Sequence, residues 1–426
     1  MPAATSPARR SSSTAAGPQP TVASPRRHDG ADEIDGADLI AFTQQLVRTP
    51  SVHDPANGTS EAHVAELIAE RMRGFGWEPE LDLVAPGRPN VIAVVEGGGG
   101  PGPTLMFEGH TDVVTVGDGW TVDPFGAEIV DGRLYGRGAA DMKGGLAAML
   151  FATHALQARG PFPGRVVLAA LVDEEGMMLG AKDLVARGRT AGVDAVICCE
   201  PEGGEICPVA KGALRLRLDL TGKMSHGAMP FQGRNPNRAV ARAIAALADL
   251  EASMQARHPQ DPHLGEVWIT PTVLRSGDPV QMNVVPANAS LWVDVRTIPS
   301  VDHAALVDEL TGLVSASAAE LGIGAEVTVI DDRPAVATAE DAALVRAVWD
   351  AHAAVTGGAP RLGGVPGATD GTVITSRTGM PSVVYGPGGK WIAHQADEFV
   401  EVADLLTHAD VYVEAAARFL GAGASA

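Results

Sequence analysis

The residues with most chemistry to offer lie just past apolar runs. Thr104 to Phe107 reads as a buried strand that stops at Glu108-Gly109, and His110-Thr111-Asp112 follows directly. A Gly-punctuated loop then delivers Asp141, with Met142-Lys143-Gly144-Gly145 opening an apolar helix that runs to Ala158. RVVLAALV (Arg165 to Val172) ends abruptly in Asp173-Glu174-Glu175-Gly176, and DAVICC (Asp194 to Cys199) ends in Glu200-Pro201-Glu202-Gly203. Another apolar run, Ser382 to Tyr385, precedes His394. An imidazole that gives one ring nitrogen to a metal usually donates its other N–H to an oxygen acceptor, and Asp112 is placed to orient His110 in that way. Two metal ions about 3.5–4 Å apart need a bridging ligand, which a carboxylate with its two oxygens supplies. His110, Asp141, Glu175, Glu200 and His394 make such a set, with mixed N and O donors suited to zinc, cobalt or manganese. Glu174 can then stay off the ions and take the proton of a metal-bound water.

These groups need elements to bring them together. Apolar strands alternating with helices imply an α/β fold with a mostly parallel sheet covered on both faces. Ligands of such sheets bind outside the carboxyl ends of the strands, where His110, the Glu174/Glu175 pair and Glu200 all arrive. Helical spacing precedes the sheet over Asp38 to Val47 and Ser60 to Phe75, with a short strand at Asn90 to Val95. From Lys211 the texture changes. ALRLRLDL (Ala213 to Leu220) alternates polar and apolar residues, followed by a helix (Pro236 to Met254) and two strands (Glu266 to Val273, Ala289 to Val295). A second helix (Asp302 to Leu321) and a strand (Ala325 to Ile330) complete a β-α-β-β-α-β order, the ferredoxin-like α+β plan. Residues 211–331 are therefore expected to form an inserted domain, with 34–210 and 332–426 as the two parts of the larger one. In the second part, helices are expected over Thr338 to Val355 and Val402 to Leu420, with a Gly-rich loop over Gly363 to Gly371.

A chain of 426 residues exceeds one ordinary core. Its net charge of -20 argues against nucleic acid as a partner, and no apolar run reaches the roughly 18 residues of a membrane span. Residues 1–33 are rich in Ala, Ser, Pro and Arg without apolar periodicity, so a disordered tail is expected there. Arg9-Arg10 has no hydrophobic segment after it and is not read as an export signal. Cys198, Cys199 and Cys207 form no disulfide framework and fit a reducing, cytoplasmic compartment.

GHTDVV, YGRGAADMKGG, DEEG, the Glu200-Pro201 pair and the late AHQADE resemble the M20 family of metallopeptidases. Within it the chain is most similar to the acetylornithine deacetylase and succinyl-diaminopimelate desuccinylase branch, and the likeness runs from residue 36 to 420 with the motifs in family order. The resemblance implies two Zn²⁺ per subunit, with Co²⁺ or Mn²⁺ as alternatives. His110, Asp141 and Glu200 would bind one ion and Asp141, Glu175 and His394 the other, with Asp141 bridging. Glu174 would be general base and acid, Asp112 would orient His110, and the Asp141–Met142 bond would be cis. SHGAMP (Ser225 to Pro230) matches the family's lid histidine, so His226 would donate to the oxyanion, reaching into a neighbouring subunit's site. Asn283 and Arg296 match positions that hold a substrate carboxylate, for which a planar guanidinium is suited. Thr369 and Asp370, and Gly388 in GPGG, resemble substrate-contacting loops. The implied activity is dinuclear metal-dependent cleavage of the amide bond of an N-acyl amino acid or related small compound, by a homodimer paired through the inserted domain. A carboxypeptidase or dipeptidase acting on short peptides, and a non-catalytic ligand-binding relative, are the alternatives.

Overall fold

The computed structural model describes residues 34–421, so the expected disordered tail lies outside the described residues. The larger unit is built on a nine-stranded sheet. Its middle consists of Arg165–Leu171, Thr104–His110, Ala195–Cys198 and Ser382–Val384, hydrogen-bonded in that order and all parallel. Both flanks turn antiparallel: Arg88–Glu96 and Glu80–Ala85 on one side, Glu205–Ala210 and Val336–Ala337 on the other. The sheet is thus mixed rather than mostly parallel. Glu80–Ala85 and Arg88–Glu96 show why, since so short a link can join only antiparallel neighbours.

Alternate residues of the central strands feed two cores. Leu105, Phe107, Val166 and Leu168 face Gly36–Val47, Ala62–Gly74, Gly144–Ala158, Ala343–Thr356 and Val402–Leu420. Met106, Val167, Ala169 and Val196 face Leu179–Ala186 and Asp370–Thr378. Gly144–Ala158 is the most deeply sunk helix, and Gly145 permits its approach, because a Cβ there would lie 2.0 Å from the Cys199 carbonyl oxygen. The Gly-rich stretch expected as a loop is partly ordered structure. Arg361–Val365 runs parallel to Glu205–Ala210, and a helix starts at Asp370. Gly364 suits that strand because a Cβ would meet Leu264 at 2.7 Å.

The second unit pairs Trp268–Ser276, Asn288–Thr297, Gly212–Thr221 and Gly324–Arg333, in that order and all antiparallel. Helices Pro236–Arg257 and His303–Ala319 cover one face. Asn235 and Asp302 cap them, accepting from the Asn237 and Ala305 N–H groups at 3.0 and 2.7 Å. Leu214, Leu216, Leu218 and Leu220 meet Leu247, Leu250, Leu306 and Leu310 in a core of their own. Charged contacts join the two units: Lys182 Nζ reaches Asp331 Oδ1 at 2.8 Å, and Arg333 donates to the Gly176 carbonyl at 2.8 Å. Among the described residues, no helix is long and apolar enough to cross a membrane.

Candidate active site

The four parallel strands point their carboxyl ends the same way, and each delivers part of one cluster. His110 is the last residue of its strand, Glu174 and Glu175 follow Arg165–Leu171, Glu200 follows Ala195–Cys198, and His394 follows Ser382–Val384. Asp141 comes from the irregular turn Ala139–Lys143, where its φ of −117° and ψ of 90° depart from the helix that begins at Gly144. The Asp141–Met142 peptide bond is cis.

Asp141 stands between two imidazoles. Its Oδ1 lies 3.0 Å from His110 Nε2 and its Oδ2 lies 3.3 Å from His394 Nε2. His394 Nε2 also lies 2.8 Å from Glu175 Oε1, and His110 Nε2 lies 3.5 Å from Glu200 Oε1. Ligand atoms of His110, Asp141 and Glu175 fall within 4.8 Å of one another, as do those of His110, Glu174 and Glu200. Two imidazole nitrogens facing this many carboxylate oxygens make a donor set that fits divalent ions, with the two oxygens of Asp141 turned to separate partners.

The electrostatics fit the same conclusion. Burial works to lower the His110 pKa, but Glu200, Asp141 and Asp112 carry it well above the ordinary value. Hydrogen bonds that His394 donates to the Asp141 and Glu175 carboxylates raise its pKa to about 10. Burial opposes ionisation of Asp141, yet the two imidazoles outweigh it and hold this carboxyl below its usual range. Burial raises Glu174 well above the ordinary value, with Glu175, Asp112 and Asp141 pushing the same way against His110. Glu200 is raised by burial too, and the Asp141, Glu174 and Glu108 charges add to this while His110 opposes it.

Asp112 meets His110 through its backbone carbonyl more closely than through its carboxylate. His110 Nδ1 sits 2.9 Å from the backbone carbonyl of Asp112 and 3.7 Å from its carboxylate. The carboxylate instead accepts the N–H groups of Glu174 and Glu175, each at 3.1 Å, and so fixes the Glu pair. Arg88 anchors the same turn from below, pairing with buried Glu61 and, at 2.7 Å, with Asp173. Asp173 in turn accepts from the Met177 and Leu179 N–H groups.

The remaining expected residues fall into two groups. Gly388 lies against the Asp141 turn, where a Cβ would approach Ala140 Cβ at 2.9 Å, and its N–H donates to Asp404 at 2.7 Å. Thr369 and Asp370 are buried at the start of their helix, and burial together with the Glu108 and Glu174 charges raises Asp370 well above its ordinary value. His226, Asn283 and Arg296 belong to the second unit and engage close neighbours there. His226 Nδ1 accepts the Ala228 N–H at 3.0 Å, the Asn283 carbonyl accepts the Gly227 N–H at 2.6 Å, and Arg296 Nε pairs with Asp294 at 2.7 Å. Among the described residues, none of their hydrogen bonds or ion pairs reaches the cluster. A third acidic group, Glu202, Glu205 and Cys207, already holds a cation of its own: Lys390 Nζ lies 2.6 Å from Glu202 and 2.9 Å from Glu205.

Sequence reasoning gave no role to Arg137 and Glu398, two fully buried residues that pair beneath the site although far apart in the chain. Both lie in motifs quoted above, yet nothing in spacing indicates that they meet.

The profile of peptidase family M20/M25/M40 matches residues 106–418. The chain is 33% identical over 389 residues to the succinyl-diaminopimelate desuccinylase of Rhodospirillum centenum, covering 88% of this chain and 95% of that one. An aminopeptidase, PepT, from Bacillus cereus superposes with a TM-score of 0.74 at 23% identity, over 92% of this chain and all 100% of the other. A dinuclear metal-binding M20 peptidase from Bacillus subtilis gives 0.69 at 20% identity, over 91% and 98%. The family match, the similarity along almost the whole chain and the paired-imidazole cluster agree: this chain belongs to the M20 peptidase family and is a metal-dependent amidohydrolase of that family.

Proposed function

We propose that the protein is a deacylase that hydrolyses the amide bond of an N-acyl amino acid or a related small N-acyl compound. The reading rests on Asp141, whose two oxygens face His110 and His394 separately, as a carboxylate shared by two ions must. His110, Asp141 and Glu200 would hold one ion, and Asp141, Glu175 and His394 would hold the other. Zinc is the expected metal, with Co²⁺ or Mn²⁺ as substitutes, since the N and O donors suit all three. Such ions polarise a carbonyl and lower the pKa of a water towards about 7. Glu174 takes the water's proton and returns it to the departing amine nitrogen. Asp112 keeps Glu174 and Glu175 in their separate tasks by binding both N–H groups.

The desuccinylase likeness, on both chains' near-full length, favours an acylated amino acid over a dipeptide. Purified metal-loaded protein should therefore turn over N-succinyl or N-acetyl amino acids faster than dipeptides or C-terminal peptide bonds. Faster release from dipeptides would favour the peptidase alternative.

The substrate-binding part of the reading draws on the second unit. His226 donates to the oxyanion, Arg296 and Asn283 hold a substrate carboxylate, and Thr369 and Gly388 line the pocket. Because His226 is exposed and bonded only locally, it serves the site of a second copy. The edge strand Trp268–Ser276 supports pairing through this unit, since Trp268, Val273 and Leu274 are exposed there. A homodimer in light scattering, with activity regained on mixing Glu174→Gln and His226→Ala subunits, would support this arrangement. A monomer of full activity would overturn it. The three unbridged cysteines fit a cytoplasmic location.

A further inference from the structure

We infer that the buried pair Arg137–Glu398 is a positioning device for one of the two metal sites, the one completed by His394; this rests on the two-ion reading above. Glu398 is 0% exposed and Arg137 1%. One Glu398 oxygen, Oε1, accepts the N–H groups of Ala140 and Asp141 at 3.0 and 3.1 Å. The other, Oε2, accepts from Arg137 Nη1. Arg137 Nη2 donates to the carbonyl of His394 at 3.3 Å and leans on the Thr115 and Val116 carbonyls at 3.5 and 3.4 Å. A single ion pair thus ties the backbone beneath the bridging carboxylate to the backbone of His394.

His110 and Glu200 need no such tie. His110 ends a strand that is paired on both sides, its last partner being Leu171, and Glu200 stands two residues past Ala195–Cys198, which is paired on both sides as well. Asp141 and His394 have no ladder to hold them: one lies in an irregular turn, and the other has a φ of 65°, a left-handed conformation uncommon for a non-glycine residue. Their geometry is set instead by directional bonds to Glu398 and Arg137. A buried ion pair is costly to desolvate and is weak evidence of a stabilising role, which leaves positioning as its function here. Asp397 reinforces the same segment by accepting the Thr121 N–H and O–H, both at 2.8 Å.

The test is a Co²⁺ titration of the full-length, chelator-stripped protein, followed by visible absorption and by counting bound metal. Wild type should take up two Co²⁺ per chain. Glu398→Gln should weaken the second by about 10–100-fold and the first by clearly less, which is the usual scale for disturbing a ligand's supporting hydrogen bonds. Arg137→Lys, which keeps the charge but loses the fork that reaches His394, should show the same order with a smaller loss, and it answers the question if Glu398→Gln does not fold. Equal weakening of both ions, or of neither, in a folded variant would overturn the inference and leave the two-ion reading standing. Uptake of a single Co²⁺ by wild type would overturn both.

Discussion

In the second unit, Leu214, Leu216, Leu218 and Leu220 point into an apolar core while Arg215, Arg217 and Asp219 between them stay nearer the surface. At the carboxyl edge of the parallel strands the chain does the reverse, sinking His110, Asp112, Glu174 and Glu200 together among one another. Burial of leucines is favourable at roughly 25 cal/mol per Å², so the core of the second unit follows from its pattern. Burial of charge is unfavourable unless it is paired, so the strand edge is held by long-range polar contacts such as Arg88 with Glu61 and Asp173. One region is built for stability; the other spends stability to keep charged groups ready.

Substitutions can break or sharpen this contrast. The largest effect is expected at the strand edge and on rate: Glu174→Gln should lower hydrolysis by about 10²–10⁴-fold while bound metal stays unchanged. Next is Arg88→Met, which strands Glu61 and Asp173 without their cation. Denaturant unfolding should record a loss of about 3–5 kcal/mol, with activity falling as the Glu174 turn loosens. Leu291→Ala in the core of the second unit should cost about 2–5 kcal/mol by the same measurement. Unlike Arg88→Met, it should leave metal uptake intact, and a loss of metal there would mean that the two regions are less separate than described. The smallest effect belongs to the exposed pair Arg242–Glu320, 2.7 Å apart on the second unit's helices. Arg242→Ala should change stability by less than about 1 kcal/mol, and by less still at high salt.

Legibility in the sequence follows the same division. The β-α-β-β-α-β order of the second unit could be read because alternating leucines and capped amphipathic helices are local signals. The central parallel strands were equally plain as apolar runs, and the acids and imidazoles just past them marked one edge of the sheet. The antiparallel flanks were less so, because Glu80–Ala85 and Glu205–Ala210 have mixed composition, and Glu205–Ala210 pairs with strands distant in sequence. Gly363 to Gly371 suggested a loop, since glycine alone does not reveal whether it serves flexibility or close packing against a neighbouring strand. The role of the Asp112 carboxylate and the Arg137–Glu398 pair depend on which backbone groups come within reach after folding, and residue type carries no sign of that.

The account stands on two ions sharing Asp141. Anomalous diffraction at the zinc edge, from crystals of the metal-loaded protein, tests it most directly. Two peaks about 3.5–4 Å apart, one on each side of the Asp141 carboxylate and flanked by His110 and His394, are expected. A single peak, or a peak beside Glu202, Glu205 and Cys207 with none at Asp141, would contradict it.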